Sequence, residues 1–419
     1  MKALEEFELL VPKFIDRDGH KGLPGERIFP NGFLLRKSDE NWRTRRKEIL
    51  SVMSINNCSE YIKMMIDTID CKIDEFCDKG EIDITQMLCK IAFQIISKIF
   101  LGHDILDIIG KCKYIDPFTG EEQMIPYDEM QMKNFMNELA SYAETKGKIF
   151  PFLASWKLIE PYKSCAKNVQ EAIRISEKYF ESSEDQNSYY HKSMKTGKFT
   201  KDECVMDCIT MLIAGFETTA RSLTSVLYLL KHNPEIKTKL IKELEVAGLF
   251  EVENKTNKEL YVAYNECDYL YYVFREALRL DYPGPQGMVY NVLEDVEICN
   301  VPISKGEKVA INYFFQGYNP DSYQRALEFI PERFDPNSEL FFKPGDKKEQ
   351  RHVKSNTPFS FGLRNCAGQT LAKLEAKVIL ARLLQKIDYE INDEFMKNPD
   401  VKFNVIDGTH LRGTIYKKV

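Results

Sequence analysis

The stretch PFSFGLRNCAGQ, Pro358 to Gln369, sets one cysteine among turn-forming glycines, with an arginine two residues upstream. The run that follows, LAKLEAKVILARLLQ, has the apolar spacing of an amphipathic helix. Cys366 therefore stands at the mouth of a helix, where the local field favours a thiolate. Thiolates bind metals or attack substrates.

Outward from this loop, composition sets the limits. The chain has 419 residues, 43% hydrophobic and 12% aromatic, enough for a large core in one domain or in two to three average ones. A net charge of −6 argues against nucleic-acid binding. Eleven cysteines, an odd number without paired short spacings, suit free thiols in a reducing compartment. No run of about eighteen apolar residues is present. The start, MKALEEFELLVPKF, lacks a signal-peptide pattern.

Helical patterns dominate. Ser38 is placed to cap a helix through WRTRRKEIL, with Asp39 and Glu40 at its positive end. Helical periodicity recurs around 59–77, 83–101, 128–146 and 163–181. The polar segment ESSEDQNSYYHKSMKTGK reads as a surface connection. Thr200 and Glu203 then form a capping-box pattern, with Phe199 placed as a staple. The helix they open runs to Asn233, roughly 45–50 Å at 1.5 Å per residue, and its apolar middle marks it as central. Strand signals are few: VEICNVPISKGEKVAIN reads as a hairpin turning at Lys305-Gly306, and VKFNVIDGTHLRGTIYKK reads similarly. The expected fold is mainly α with small β-sheets, in one domain over 1–419.

Three further motifs each have a bland reading. In AGFETT, Ala214 to Thr219, Gly215 can mark close helix packing, but Glu217 and Thr218 are odd in so apolar a run. Back-bonding of the Thr218 hydroxyl to the Ala214 carbonyl would bend the helix and open a polar notch. Glu276 and Arg279 share a helical face and could be an exposed ion pair worth little. Trp42 and Arg46 could be a surface cation on an indole. Arg43, Arg45 and Lys47 beside them read as a solvated face or a dock for an acidic partner.

Together these motifs resemble the cytochrome P-450 family of heme-thiolate monooxygenases. The cysteine loop Phe359-x-x-Gly362-x-Arg364-x-Cys366-x-Gly368 carries most of the resemblance. AGFETT is similar to the family's oxygen-binding motif, and Glu276-x-x-Arg279 to its buried pair. Pro331-Glu332-Arg333-Phe334 is similar to the segment that completes this pair. Trp42-x-x-x-Arg46 is a looser match.

The resemblance implies heme b, with Cys366 as its axial ligand and only metal ligand. It implies that Phe359 packs on the proximal side, that Gly362 and Gly368 let N–H groups reach the sulfur, and that Arg364, Trp42 and Arg46 clamp the propionates. It makes Ala214 and Gly215 the oxygen-side wall and Glu217 and Thr218 the proton suppliers. Glu276, Arg279 and Arg333 become a buried structural network. It implies insertion of one oxygen atom from O2 into a small hydrophobic substrate, with electrons from NADPH through a separate reductase. Two rivals are a heme-thiolate isomerase or dehydratase of peroxides and an inactive truncated heme-binding relative. Where the family commonly carries another propionate-binding arginine, this sequence has Tyr290. The Trp42 motif also comes early, so a membrane anchor, a first helix and the first sheet strands are expected to be absent. The full-length form would then sit on the endoplasmic reticulum membrane, cytosolic face. The cluster IFPFLASW, 149–156, reads as core, a lid or a membrane-touching surface.

Overall fold

A computed structural model of the chain describes residues 1–17, 32–102, 111–116, 119–126, 162–183, 185–186, 188–284, 287–346, 348–392 and 411–418. The helix expected over 128–146, the cluster at 149–156 and residues 401–410 of the last hairpin lie outside the described residues. In chain order the elements begin α1 (Lys2–Leu10), β1 (Ile15–Asp16), α2 (Glu40–Val52), α3 (Ile55–Ser59), α4 (Ile62–Phe76), β2 (Glu81–Asp83) and α5 (Ile84–Leu101). The hairpin β3 (Lys111–Ile115) and β4 (Glu122–Pro126) precedes α6 (Tyr162–Ser182), α7 (Tyr189–Lys195), α8 (Lys201–His232) and α9 (Pro234–Val246). Then come α10 (Asn257–Glu266), α11 (Asp268–Leu280), β5 (Val289–Val292), β6 (Val296–Ile298), β7 (Val301–Ile303), β8 (Lys308–Ala310) and α12 (Tyr313–Tyr318). The chain ends with α13 (Gln369–Lys386), β9 (Ile387–Ile391) and β10 (Arg412–Lys417).

The spine is α8, opened by the expected capping box: the Thr200 hydroxyl accepts from the Glu203 N–H, and the Glu203 carboxylate accepts from the Thr200 N–H at 3.0 Å. Along it lies α5. By length and composition α5 could cross a membrane, but 83% of it is buried inside the protein, so it is a core helix. Phe93 of α5 meets Phe216 of α8 edge-on at 5.4 Å. A Cβ added at Gly215 would stand 3.0 Å from Ile96 Cγ1, so the glycine admits the α5 surface. On another side α13 packs between α4, α8 and α11. The sheets are small: β1-β5-β8 and β2-β10-β9, with hairpins β3-β4 and β6-β7.

Four expectations are corrected. The cap of α2 is Asp39, which accepts from the Trp42 N–H at 2.8 Å; the Ser38 N–H and hydroxyl instead donate to Asp16. The tight hairpin is β6-β7, turning at Cys299 and Asn300, both at positive φ. Gly306 belongs to the return toward β8, where its N–H donates to the Val292 carbonyl at 2.8 Å. The polar connection at 181–198 contains α7, with Tyr189 and Tyr190 buried. Arg45 is no docking residue: its side chain is 0% exposed and pairs with Asp207 and Glu203. The basic run hid this: Arg45 shares the buried stripe of α2 with Trp42, Ile49 and Val52, while Arg43 and Lys47 face solvent.

Candidate functional site

A cavity of about 250 Å3 is walled by α8 through Ala214, Gly215 and Thr218 and by the cysteine loop through Phe359, Cys366 and Ala367. The loop is held by its own backbone. The Cys366 N–H donates to the Phe359 carbonyl at 2.8 Å. Gly362 adopts φ +65, and a Cβ there would come within 2.9 Å of Glu8 Oε1. Ser360 tolerates φ +60 while its hydroxyl accepts from Tyr313 at 2.8 Å. Gly368 has an ordinary φ of −87; it caps α13, and its N–H points at the Cys366 sulfur. Cys366 is the cysteine on this wall and is open to the cavity. Burial pushes its thiol up, while the Gly368 N–H and the charges of Arg46, Arg17 and Lys373 pull it down.

One edge of the cavity is basic. The Arg364 guanidinium lies 4.0 Å from the Trp42 ring centroid and donates to Asp16 at 3.0 Å, leaving its Nε without a partner. Burial, with Arg17 nearby, lowers its pKa to about 10. Arg46 donates to the Asn365 carbonyl at 2.9 Å. Trp42 is 1% exposed, and its indole N–H has no partner. A buried, unpaired donor is unfavourable unless a ligand completes it.

The sequence reading missed Arg17. It lines the same edge, donates to the Tyr290 hydroxyl at 2.9 Å and lies 4.9 Å from that ring centroid. Its Nε is also unpartnered. Three arginines thus share the wall, and Asp16 neutralises only part of their charge. An anionic group, with carboxylates at this edge and a flat apolar body toward α8, fits the set. A lone arginine in FIDRDG gave no periodic signal; only the pairing of β1 with β5 brings it to Tyr290.

On the α8 side, Thr218 is open to the cavity, and its hydroxyl donates to the Ala214 carbonyl at 2.7 Å, as the motif suggested. Glu217 is half-buried and does not line the cavity. Behind α11, Glu276 accepts from Arg279 Nε at 2.7 Å, Arg333 Nε at 2.9 Å and the Ile330 N–H at 3.0 Å. Arg279 also donates to the carbonyls of Gly317 and Ala326, both at 2.7 Å. A Cβ at Gly317 would overlap the Arg279 carbonyl at 2.1 Å. All three ionic side chains are 0% exposed. They do not touch the cavity.

Two other buried groups were not singled out from sequence. Asp207 of α8 accepts from Arg45 Nε at 2.7 Å, the Tyr189 hydroxyl at 2.9 Å and the Phe33 N–H at 3.0 Å. Burial pushes the Asp207 carboxyl up and opposes the Arg45 charge, yet contact between the two holds Arg45 above its ordinary value. Glu375 of α13 lines the cavity, with burial raising its carboxyl to about 8. Its signal was available: it lies four residues after Leu371, on the apolar stripe of the helix.

The family profile described as Cytochrome P450 matches residues 10–408. The chain is 25% identical over 394 residues to "Cytochrome P450 monooxygenase vrtK" of Penicillium aethiopicum, covering 89% of this chain and 68% of that protein. It is 31% identical over 202 residues to "Trichothecene C-4 hydroxylase" of Trichoderma arundinaceum, covering 48% of this chain and 39% of that one. Most of these curated relatives are therefore matched over less than two thirds of their length. Among solved structures, "Retinoic acid bound cyanobacterial CYP120A1" superposes with a TM-score of 0.73 at 17% identity, covering 98% of this chain and 87% of that chain.

Proposed function

Because the chain belongs to the cytochrome P450 family, we propose that it is a heme-dependent monooxygenase. It inserts one oxygen atom from O2 into a hydrophobic organic substrate, with electrons from NADPH through a separate reductase. The observation that carries this reading is the pairing, in one cavity, of an accessible Cys366 thiol with a partly unsatisfied rim of Arg17, Trp42, Arg46 and Arg364. Heme b, when bound, supplies oxygen activation at iron.

The chain's own groups do the rest. Cys366 would hold the iron, and the Gly368 N–H would keep the sulfur basicity in range. The rim would hold the two propionates, with Arg17 supplying the charge that Tyr290 cannot. Phe359 and Leu371 exclude water beneath the site. Thr218, with Glu217 reached through water, moves protons along the open side of α8. Ile96, Met211 and Met288 give the substrate side its apolar character. Eleven cysteines without a disulfide support a site facing the cytosol, and the cytosolic face of the endoplasmic reticulum membrane is the location that goes with this reading.

The test is the reduced, carbon-monoxide-bound absorption spectrum of the purified protein, followed by turnover with NADPH and a reductase. The expected result is the red-shifted thiolate band and substrate-dependent product. A heme-replete protein without that band, or one that converts substrate without consuming NADPH, would overturn the reading.

A further inference from the structure

A second cavity, of about 760 Å3, lies at the end of α11 and shares no lining residue with the cysteine cavity. Its volume falls within the roughly 300–1,000 Å3 of small-molecule sites. The chain passes from one cavity to the other in a single step: Leu280 and Asp281 line this one, and Tyr282 and Pro283 line the other. Four rings stand on its walls. Tyr228 and His232 share a face of α8, with ring centroids 4.5 Å apart. Tyr318 of α12 is tilted against Phe314 at 4.7 Å, and its hydroxyl donates to the Leu280 carbonyl at 2.6 Å. Phe329 is buried, while Leu327 lines the same cavity and is 68% exposed.

The electrostatics favour a cation. α8 ends at His232 and α11 at Leu280, so two helix C-termini, the negative ends, meet at the cavity. The helix N-terminus there, that of α9, opens with Pro234, which has no N–H, and carries the Glu235 carboxylate. Four carboxylates line the walls against one guanidinium, that of Arg325. Glu328 accepts from Arg325 Nε at 2.8 Å, and Glu332 accepts from Lys239 at 2.7 Å. Asp281 is 4% exposed; it accepts from the Ser225 hydroxyl, and Arg221 Nη2 stands 4.0 Å away. Glu235 makes no ion pair among the described residues.

We propose that this cavity binds a small organic cation, an ammonium group carried on an apolar or aromatic body. Asp281 and Glu235 face its charge, and the rings of Tyr228, Tyr318 and Phe329 take its body and the carbons next to its nitrogen. A bare metal ion does not suit the walls: no group of three or more His, Cys, Asp or Glu is placed to hold one among the described residues. An anion would face the negative ends of two helices. No bond is made or broken at this site, and the inference does not rest on the monooxygenase reading.

Calorimetry and ligand-observed NMR of the whole protein with benzyltrimethylammonium test it; this quaternary nitrogen has no lone pair to offer iron. One equivalent should bind saturably. Neopentylbenzene, the neutral isostere, should bind about tenfold more weakly, because it lacks the charge the rings and carboxylates recognise. Asp281→Asn should weaken the cation about tenfold. Because Asp281 is buried, two variants nearer the surface accompany it: Glu235→Gln and Tyr228→Leu should each weaken binding several-fold with the melting point unchanged. Saturating cation should leave the heme absorption spectrum as it was. No saturable binding, equal affinity for the cation and its isostere, full affinity in Glu235→Gln and Tyr228→Leu, or a heme spectrum shifted by the cation would overturn the proposal.

Discussion

Substituting Asp207→Asn removes the charge that neutralises Arg45 while keeping the side chain's shape. The Arg45 side chain is 0% exposed, and after the change its nearest carboxylate is Glu203, 3.6 Å from Nη1. Leaving a buried guanidinium without its contacting partner costs about 3–5 kcal/mol. The asparagine must also present an amide NH2 to Arg45 or to the Tyr189 hydroxyl and Phe33 N–H that the carboxylate served. For a chain of 419 residues, an unfolding entropy of about 2.1 cal/mol/K per residue turns this into a melting-point loss of roughly 3–6 °C. Calorimetry and urea unfolding measure both quantities.

The discriminating variant is the pair Asp207→Leu with Arg45→Met. An apolar pair of similar volume removes both desolvation penalties, so the double variant should be more stable than either single one, with a coupling of about 2 kcal/mol or more. The same buried pair anchors α2, which carries Trp42 and Arg46, to α8. Heme release should therefore quicken in Asp207→Asn. A loss below about 1 kcal/mol in Asp207→Asn, or strict additivity in the double variant, would refute the account of Asp207 as the ionic hub between the two helices.

Cys366→Ala should lose the red-shifted carbon-monoxide band and all product formation while keeping its far-ultraviolet circular dichroism. Thr218→Ala should still consume NADPH but yield about tenfold less product per NADPH, a typical effect of losing one proton-transfer group; unchanged coupling would remove Thr218 from that role. Arg17→Leu should release heme to an apoglobin acceptor about 10–100-fold faster, the scale of one charged hydrogen bond. The exchange Arg17→Tyr with Tyr290→Arg should restore much of that retention, and Tyr290→Arg alone should not exceed it. Finally, burial raises the Glu375 carboxyl from its ordinary 4.5 to about 8 in the folded chain. The unfolded chain therefore ionises first, and stability falls as pH rises from about 4.5 to about 8, then levels. Glu375→Gln should flatten that slope and raise stability at about pH 8 by up to about 4–5 kcal/mol, read from urea midpoints across the range.

Most of the α-rich frame was legible because its signals are local. The capping box at Thr200, the proline after Asn233 and the periodicity of α4, α5 and α6 all act within a turn or two. The cysteine loop was legible for the same reason: its glycines, Phe359 and Arg364 lie within eight residues of Cys366. What misread was decided at a distance. Ser38 is a sound cap by type, but Asp16 claims its hydroxyl from 22 residues away. Arg45 looks like a surface cation until α8 brings Asp207 to it from 162 residues away. The polar run before Phe199 conceals two tyrosines because their burial depends on Phe100, Phe180 and Asp207, not on their own neighbours.

Tyr290 states the point most sharply. Read along the chain, a phenol where an arginine is expected looks like a lost charge and a weaker hold on a carboxylate. Read across the sheet, β1 pairs with β5 so that Ile15 faces Val292 and Asp16 faces Asn291. One step further along that antiparallel register sets Arg17 opposite Tyr290, and their side chains are joined by the 2.9 Å bond. The charge has moved one strand over rather than vanished. Tyr290 then becomes the brace that turns a flexible arginine toward the cavity, and packing of its ring against Phe7 of α1 at 5.1 Å fixes the brace in turn. Arg17's share of the cavity's charge is thus a property of a strand pair, and substitutions on either strand should be read through the other.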